Sequence, residues 1–207
     1  MRALKQENSY LITKHTTLSH QEKIAIISAH FAEIMKTLGL DLHDDSLKGT
    51  PSRVAKMYVN ELFKGLDESN FPEISLFANN YGYKNMLIEK DITLYSVCEH
   101  HFVPIVGKVH VAYFPSDHVI GLSKINRLVE FFSKKPQVQE RLTIQISNAL
   151  KEILGHEDVA VIVEADHFCV ASRGIKDCNS YTLTEEYSGK FLNEKIREDL
   201  IKKITFR

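Results

Sequence analysis

Two stretches decide the fold: MLIEKDITLYSV at Met86–Val97 and IVGKVHVAYF at Ile105–Phe114. Both are rich in β-branched residues and read as strands, and Pro115-Ser116-Asp117 stops the second. Towards the C-terminus Ser123 reads as the cap of a helix carrying Ile125, Leu128, Val129 and Phe132, which Lys134-Lys135-Pro136 interrupts. A second helix is expected from Pro136 to Leu154, with Val138, Leu142, Ile146, Ala149, Leu150 and Ile153 on one stripe and Gly155 as its stop. Asp158–Ala165 is an apolar strand, about Ser180–Tyr187 another, and a charged helix from about Leu192 to Lys203 follows. Towards the N-terminus, Ser19-His20-Gln21-Glu22 is a capping box ahead of Ile24, Ile27, Phe31, Ile34, Met35 and Leu38 at helical spacing. Thr50-Pro51 opens a further helix that closes near Gly65. Leu66–Lys84, with Pro72 and Gly82, reads as a connector with at most short structure.

The order is two helices, then β-β-α-α-β-β, then a helix. That pattern implies an α+β chain: an antiparallel β-sheet with two helices on one face, preceded by N-terminal helices. It also divides the chain into an N-terminal helical region and connector (1–84) and a second domain (85–207). A four-stranded sheet with one helical face leaves open edges, which oligomerisation can close.

Composition narrows the function. The 207 residues are 43% apolar and 26% charged, ordinary globular usage that excludes disorder as the main state. Apolar runs such as Ala160-Val161-Ile162-Val163 are too short to span a membrane. Lys5, Glu7, Lys14, His15, Glu22 and Lys23 leave no room for a signal-peptide core in the first 30 residues. Lys and Arg total 26 against 27 Asp and Glu, so no general nucleic-acid affinity is expected and a phosphate ligand needs a local cluster. Three cysteines, an odd count, argue for reduced thiols in a cytoplasmic protein rather than a disulfide framework.

Ten histidines invite a metal search. Cys98-Glu99-His100-His101 places Cys98 and His101 three apart, a spacing that aims both at one ion from a tight turn, though one such pair alone is a weak signal. His167-Phe168-Cys169 follows the 158–165 strand; if extended, His167 and Cys169 project to the same side. Each site alone reads equally as a small buried thiol beside a satisfied histidine. Together, Cys98, His101 and Cys169 form a three-ligand set for zinc that leaves a position for water, the catalytic pattern. His100 and His167 are then the proton-transfer candidates.

Gly121-Leu122-Ser123-Lys124-Ile125-Asn126-Arg127 adds an anion site. Lys124 and Arg127 share one side of a first helical turn, where free N–H groups and the Ser123 hydroxyl favour phosphate. The same residues also read as a capped helix with solvated bases. Arg173, four residues past Cys169, is a third cation. Glu140 lies off the apolar stripe of its helix. It is either a favourable acid near a helix start or a carboxylate that accepts the ring N–H and exocyclic amine of guanine, a donor pair that adenine lacks.

Cys98-Glu99-His100-His101-Phe102-Val103-Pro104, Gly121-Leu122-Ser123-Lys124, Pro136-Gln137-Val138-Gln139-Glu140-Arg141-Leu142, His167-Phe168-Cys169 and Arg173-Gly174 together resemble GTP cyclohydrolase I, and Thr50-Pro51-Ser52-Arg53-Val54-Ala55 is similar to that family's helical N-terminal region. The resemblance covers about residues 20–192. It implies a tunnelling fold (T-fold) in a homodecamer with active sites between subunits. It implies hydrolysis of GTP at purine carbon 8 and rearrangement to 7,8-dihydroneopterin triphosphate with release of formate. By the same resemblance Cys98, His101 and Cys169 hold zinc, His100 and His167 move protons, Glu140 with Gln139 beside it holds guanine, and Ser123, Lys124, Arg127 and Arg173 take the triphosphate. The chain departs from the family pattern at Tyr181–Gly189, where Glu185-Glu186 and a single glycine replace a Ser/Thr-rich strand and a Gly-Gly pair. Cys178 matches no metal position. Two rivals stand beside this reading. A binding protein with structural zinc needs a fourth ligand, for which Cys178 or His110 lacks supporting spacing. A T-fold nitrile reductase with a cysteine nucleophile leaves His167-x-Cys169 and Ser123-Lys124-x-x-Arg127 unexplained.

Overall fold

The computed structural model describes residues 18–205; Lys5, Glu7, Lys14 and His15, on which the leader argument partly rests, lie outside the described residues. Helix α1 (His20–Thr37) opens on the expected capping box, with Ser19 and Glu22 each satisfying the other's backbone N–H. Helix α2 (Thr50–Met57) starts one residue earlier than its sequence suggests: Gly49 is the N-cap and Thr50 lies inside, where its hydroxyl meets Arg53. The helix widens into a π turn at Tyr58–Leu62 before Gly65.

The connector is more structured than expected. Its Leu76–Ala78 (β1) pairs antiparallel with His118–Ile120 (β4), an element too short for an alternation pattern to reveal. The main sheet comprises β2 (Leu87–Cys98), β3 (Pro104–Tyr113), β5 (Pro136–Gln137), β6 (Val159–His167) and β7 (Thr182–Tyr187), in the order β5-β2-β3-β6-β7. All neighbours are antiparallel except β5, which runs parallel to β2 through Val97↔Pro136 and Cys98↔Gln137. The second central helix therefore begins later than Pro136: α4 is Gln139–Leu154, and α3 is Leu122–Ser133. Pro136 is tolerated in a strand because it lies on the sheet edge.

Both central helices cover one face, as the pattern implied. Ile125, Leu128, Val129 and Phe132 of α3 and Leu142, Ile146, Ala149 and Leu150 of α4 pack on Leu94, Val109, Val111, Val161 and Val163. The opposite face carries a smaller cluster, Ala112, Ala160 and Ile162, roofed by Phe191 and by Leu200 of the last helix, α6 (Glu194–Thr205). This second cover explains why β6 is buried on both faces. β7 forms in register despite Glu185-Glu186, pairing Ala160↔Tyr187 through Ala165↔Thr182. The single glycine after it suffices: Gly189 has φ +55°, and a Cβ there would lie 2.7 Å from Glu157 O.

One buried histidine on the outer face is tied to a strand irregularity. The β2–β3 register shifts between Glu89 and Ile92, where Asp91 adopts φ 58°. His110 accepts the Asp91 N–H at Nδ1 (3.2 Å) and sets Nε2 3.6 Å from Glu164 Oε1, while Lys108 pairs with Asp91. Burial holds the imidazole below its usual pKa, outweighing Glu164 and Asp91, which favour the charged form. The unfolded histidine, with a pKa of about 6.5, therefore takes up its proton first as pH falls. This contribution to stability is whole above about pH 6.5 and is lost as pH drops from there towards the folded pKa. His110→Gln keeps an acceptor for Asp91 without titrating. Its melting temperature should fall less steeply between pH 7 and pH 5 than that of the wild type, and parallel curves would exclude His110 as the titrating group.

Candidate active site

The site gathers where β2 ends and β6 ends. The antiparallel ladder fixes this: Val97 faces Pro104 and Ile105 faces His167, so the turn at 99–103 and the end of β6 are neighbours. Cys98 is buried on the helix-covered side, with its N–H bonded to Val103 O. The turn contains Phe102 at φ 53°, a conformation that costs an L-residue about 1 kcal/mol. Phe63 and Tyr58, at the two ends of the π turn that follows α2, pack tilted and edge-on against Phe102 at centroid distances of 5.2 and 6.4 Å and hold it.

After His167 the chain does not stay extended. Phe168–Ala171 is a short helical turn, α5, so the two-residue alternation expected to aim His167 and Cys169 together does not apply. The turn instead carries Cys169 up to Cys98. Burial pushes the Cys169 thiol above its usual pKa, the adjacent Cys98 sulfur raises it further, and Arg173 acts in the opposite direction. His100 lies alongside, with Nδ1 3.7 Å from Cys98 Sγ and Nε2 4.0 Å from Glu99 Oε1.

His101 is held apart from the two thiols. Its Nε2 accepts from Arg173 Nη1 at 2.8 Å, and among the described residues no three His, Cys, Asp or Glu side chains stand together as a metal-ligand group. The donor chemistry nevertheless fits a soft divalent ion. Burial and the neighbouring Cys98 sulfur disfavour the Cys169 thiolate, which a cation at the two sulfurs would favour. His101 Nε2 is unprotonated, since guanidinium can only donate to it, so it offers a ligand lone pair once Arg173 moves aside.

His167 is set by Gln139, a fully buried residue in the first turn of α4. The two hydrogens of the Gln139 amide nitrogen are shared among Val163 O (3.0 Å), Thr182 O (3.0 Å) and Thr184 Oγ1 (3.2 Å). Its oxygen must therefore be the atom that meets His167 Nε2, at 2.7 Å. An amide oxygen only accepts, so Nε2 carries the proton and Nδ1 is left with the lone pair. Burial lowers the His167 pKa first, and Glu140 and Asp166 act against it. Glu140 is exposed, next to His167 and off the buried stripe of α4. Gln139, expected beside the guanine, thus has its side chain engaged within the fold.

Ser123, Lys124 and Arg127 open α3 away from this cluster. Gly121, not Ser123, is the N-cap, so Ser123 lies in the first turn with its hydroxyl exposed. The C-terminal end of α3 is near the cluster, since Ser133 O accepts from Ser96 Oγ at 2.7 Å. Twelve residues of helix place its start about 18 Å further on. Arg173 bridges to His101 as described, and Cys178 is exposed among loop carbonyls.

Several residues beneath the site escape sequence reasoning. Arg141 donates through Nη2 to Glu99 Oε2 and to Pro136 O (2.9 Å), and through Nε to Gln137 Oε1 (3.0 Å). Gln137 is itself buried and donates to Phe132 O and Gln145 Oε1. Thr143 and Thr184 share a hydroxyl hydrogen bond of 2.7 Å under Gln139. The available signal was polar residues at positions that a buried helix stripe and a buried strand end should have filled with apolar ones.

Comparison with known proteins agrees with the local geometry. The model of the family described as GTP cyclohydrolase I matches residues 27–205. The "GTP cyclohydrolase 1" of Flavobacterium johnsoniae is 54% identical over 184 residues, 89% of this chain and 82% of that protein. That of Haemophilus influenzae is 54% identical over 179 residues, 86% and 82% of the two chains. That of Pasteurella multocida is 57% identical over 169 residues, 82% and 78%. A family match spanning residues 27–205, together with identities of 54–57% over more than four-fifths of the sequence, makes this chain a member of the GTP cyclohydrolase I family.

Proposed function

We propose that this chain carries out its family's reaction with a zinc ion held by Cys98, His101 and Cys169, and with a nucleotide bound between subunits of a homodecamer. The chain is an enzyme of the GTP cyclohydrolase class, and the reaction of that class converts GTP and water to 7,8-dihydroneopterin triphosphate and formate. The observation that carries the reading is the meeting of the Cys98 and Cys169 sulfurs at the ends of β2 and β6, both of which pair with β3, with His100 beside Cys98 and His167 at the end of β6.

When bound, zinc supplies Lewis acidity towards water. The remaining work falls to side chains. His167, held at Nε2 by Gln139, has Nδ1 available to exchange a proton with a purine ring nitrogen, which makes carbon 8 electrophilic. Its depressed pKa keeps it neutral near pH 7, so it works by taking and returning a proton. His100, between Cys98 and Glu99, serves the later proton transfers of ring opening and reclosure. Glu140, adjacent to His167, accepts the ring N–H and amine of guanine and so orients carbon 8. Ser123, Lys124, Arg127 and Arg173 bind the triphosphate, which leaves the reaction unchanged.

The distance between the start of α3 and the thiol pair supports an assembled site: the phosphate-binding turn nearest one thiol pair is then supplied by another subunit. The exposed edge of β7 and the part of β2 beyond β5 are the strands through which such a ring closes. We assign residues 1–84 to the N-terminal helical region and connector and 85–207 to the T-fold catalytic domain. No helix among the described residues is long and apolar enough to cross a membrane. The cytoplasmic location is proposed from the odd cysteine count, and the absence of a nucleic-acid partner from the near-neutral charge balance.

The direct test is incubation with GTP while following formate and, after oxidation, pterin fluorescence; absence of both products would overturn the assignment. The purified wild type should carry about one zinc per chain, and Cys169→Ser should lose most of it; full occupancy in that variant would remove Cys169 from the ligand set. Light scattering should give a mass far above that of one chain, near ten chains, and a fully active monomer would refute a shared site. Base selection tests Glu140. Hypoxanthine keeps the ring N–H and lacks the amine, so ITP should turn over at a rate between those of GTP and ATP. Glu140→Ala should weaken GTP binding by about 2–3 kcal/mol, the scale of a charge-assisted hydrogen-bond pair, and compress the GTP-to-ITP preference at unchanged zinc content. An unchanged ratio would return Glu140 to being a helix-start acid.

A further inference from the structure

The turn that carries Cys98, His100 and His101 is bound to the first turn of α4 by a connection that the catalytic assignments leave unused. Glu99 Oε2 accepts from Arg141 Nη2, and Glu99 N–H donates to Gln137 O at 3.0 Å. Glu99 Oε1 faces His100 Nε2 at 4.0 Å, while His100 Nδ1 lies 3.7 Å from Cys98 Sγ. The imidazole is thus placed between a sulfur and a carboxylate, and that carboxylate is in turn fixed by one guanidinium. Arg141 is anchored at both of its other contacts, through Nε to Gln137 Oε1 and through Nη2 to Pro136 O. Gln137 is wholly buried and is held by Phe132 O and Gln145 Oε1. Glu99 and Arg141 are each about a quarter exposed. A surface ion pair of that kind ordinarily contributes little to stability, yet this one has the Nε and Nη2 donors of Arg141 aimed at fixed acceptors and joins the residue next to His100.

We infer that Glu99 and Arg141 are a positioning pair: Arg141 orients the Glu99 carboxylate, and Glu99 orients the His100 ring for proton transfer, registering it against the same helix turn that presents Glu140. This rests on the proposed role of His100. Neither side chain touches substrate. Their effect on the reaction passes through the imidazole, as outer partners of catalytic histidines commonly act. Lysine cannot replace Arg141, because one ammonium cannot reach Gln137, Pro136 and Glu99 in the fixed directions of the guanidinium fork.

The experiment compares wild type, Glu99→Gln, Arg141→Lys, His100→Ala and the double variant Glu99→Gln/His100→Ala, all as zinc-loaded assemblies, for kcat, KM for GTP, zinc content and melting temperature. Glu99→Gln and Arg141→Lys should each lower kcat by roughly 10- to 100-fold, the scale of lost outer partners. KM should stay within about twofold and zinc content should not change, since base and phosphate contacts remain. In the His100→Ala background, Glu99→Gln should cost nothing further, because a residue that acts only through His100 has nothing left to position. An unchanged kcat in Glu99→Gln, loss of zinc from that variant, or a full additional loss in the double variant would each overturn the inference. The first makes the pair ornamental to turnover, the second makes it a clamp on the metal turn, and the third gives Glu99 a role of its own. A His100→Ala enzyme at wild-type rate would remove the role of His100 and the inference with it. A wild type that releases no formate from GTP would instead refute the functional assignment itself, a separate and prior result.

Discussion

The ladder between β3 and β6 is the constraint on which the rest depends. It runs from Ile105↔His167 to Tyr113↔Val159 without a shift, and it allows no tolerance at its centre. A Cβ at Gly107 would lie 2.0 Å from Glu164 O and 2.6 Å from Ala165 Cα, so the two backbones approach there as only glycine permits. Because the period of a strand is two, a slip of one residue would turn His167 from the site to the opposite face and carry the helical turn of Cys169 with it. The alternating apolar set, Val109 and Val111 against Val161 and Val163, holds the register by burying one face under α3 and α4. Core packing and site geometry are therefore the same set of contacts.

The hydrogen bonds of Gln139 show how saturation becomes chemistry. Its nitrogen meets acceptors on β6 and β7, and Thr143 donates to the Gln139 carbonyl while Thr184 meets Thr143. No donor is left over, so the amide cannot turn, and the protonated nitrogen of His167 follows. The edge strand β7 is part of this arrangement. Its Thr182 and Thr184 supply two of the acceptors, which gives the Glu185-Glu186 segment a defined place next to the site although neither acid enters it.

Sequence periodicity and punctuation conveyed the layout well. The capping box at Ser19, the stripe of α4 and the β-branched runs of β2 and β3 all yield their elements, because each is long enough for its period to repeat. What stayed hidden was short or tertiary. β1, β4 and β5 span two or three residues and exist because a neighbour offers backbone groups to pair with. The helical turn after His167 broke the alternation by which Cys169 was aimed, so the two cysteines meet by a different local route from the one their spacing suggested. The capping role given to Ser123 fell to Gly121 because β4 and its turn, not the side chain, fix where α3 starts. The chemistry-bearing residue types were legible in the sequence. Their supports, Gln137, Gln139, Arg141 and Glu99, were not, since a buried polar network has no periodic signature.

The two ends of α3 carry the last step. Its final carbonyl is bonded to Ser96, two residues before Cys98, whereas its first turn bears Ser123, Lys124 and Arg127 at the far end of the same helix. A rigid helix packed by Ile125, Leu128, Val129 and Phe132 cannot fold back to bring both ends onto one small molecule without dismantling the core it shares with α4. The proposed phosphate-binding residues and the thiol pair of one chain are thus separated by the packing that makes each of them rigid. The edges of β2 and β7 stand at opposite sides of the sheet, so copies joined edge to edge, as proposed, would meet head to tail rather than through one self-complementary patch. The proposed sharing of a site between subunits would then follow from the same packing that makes each subunit rigid.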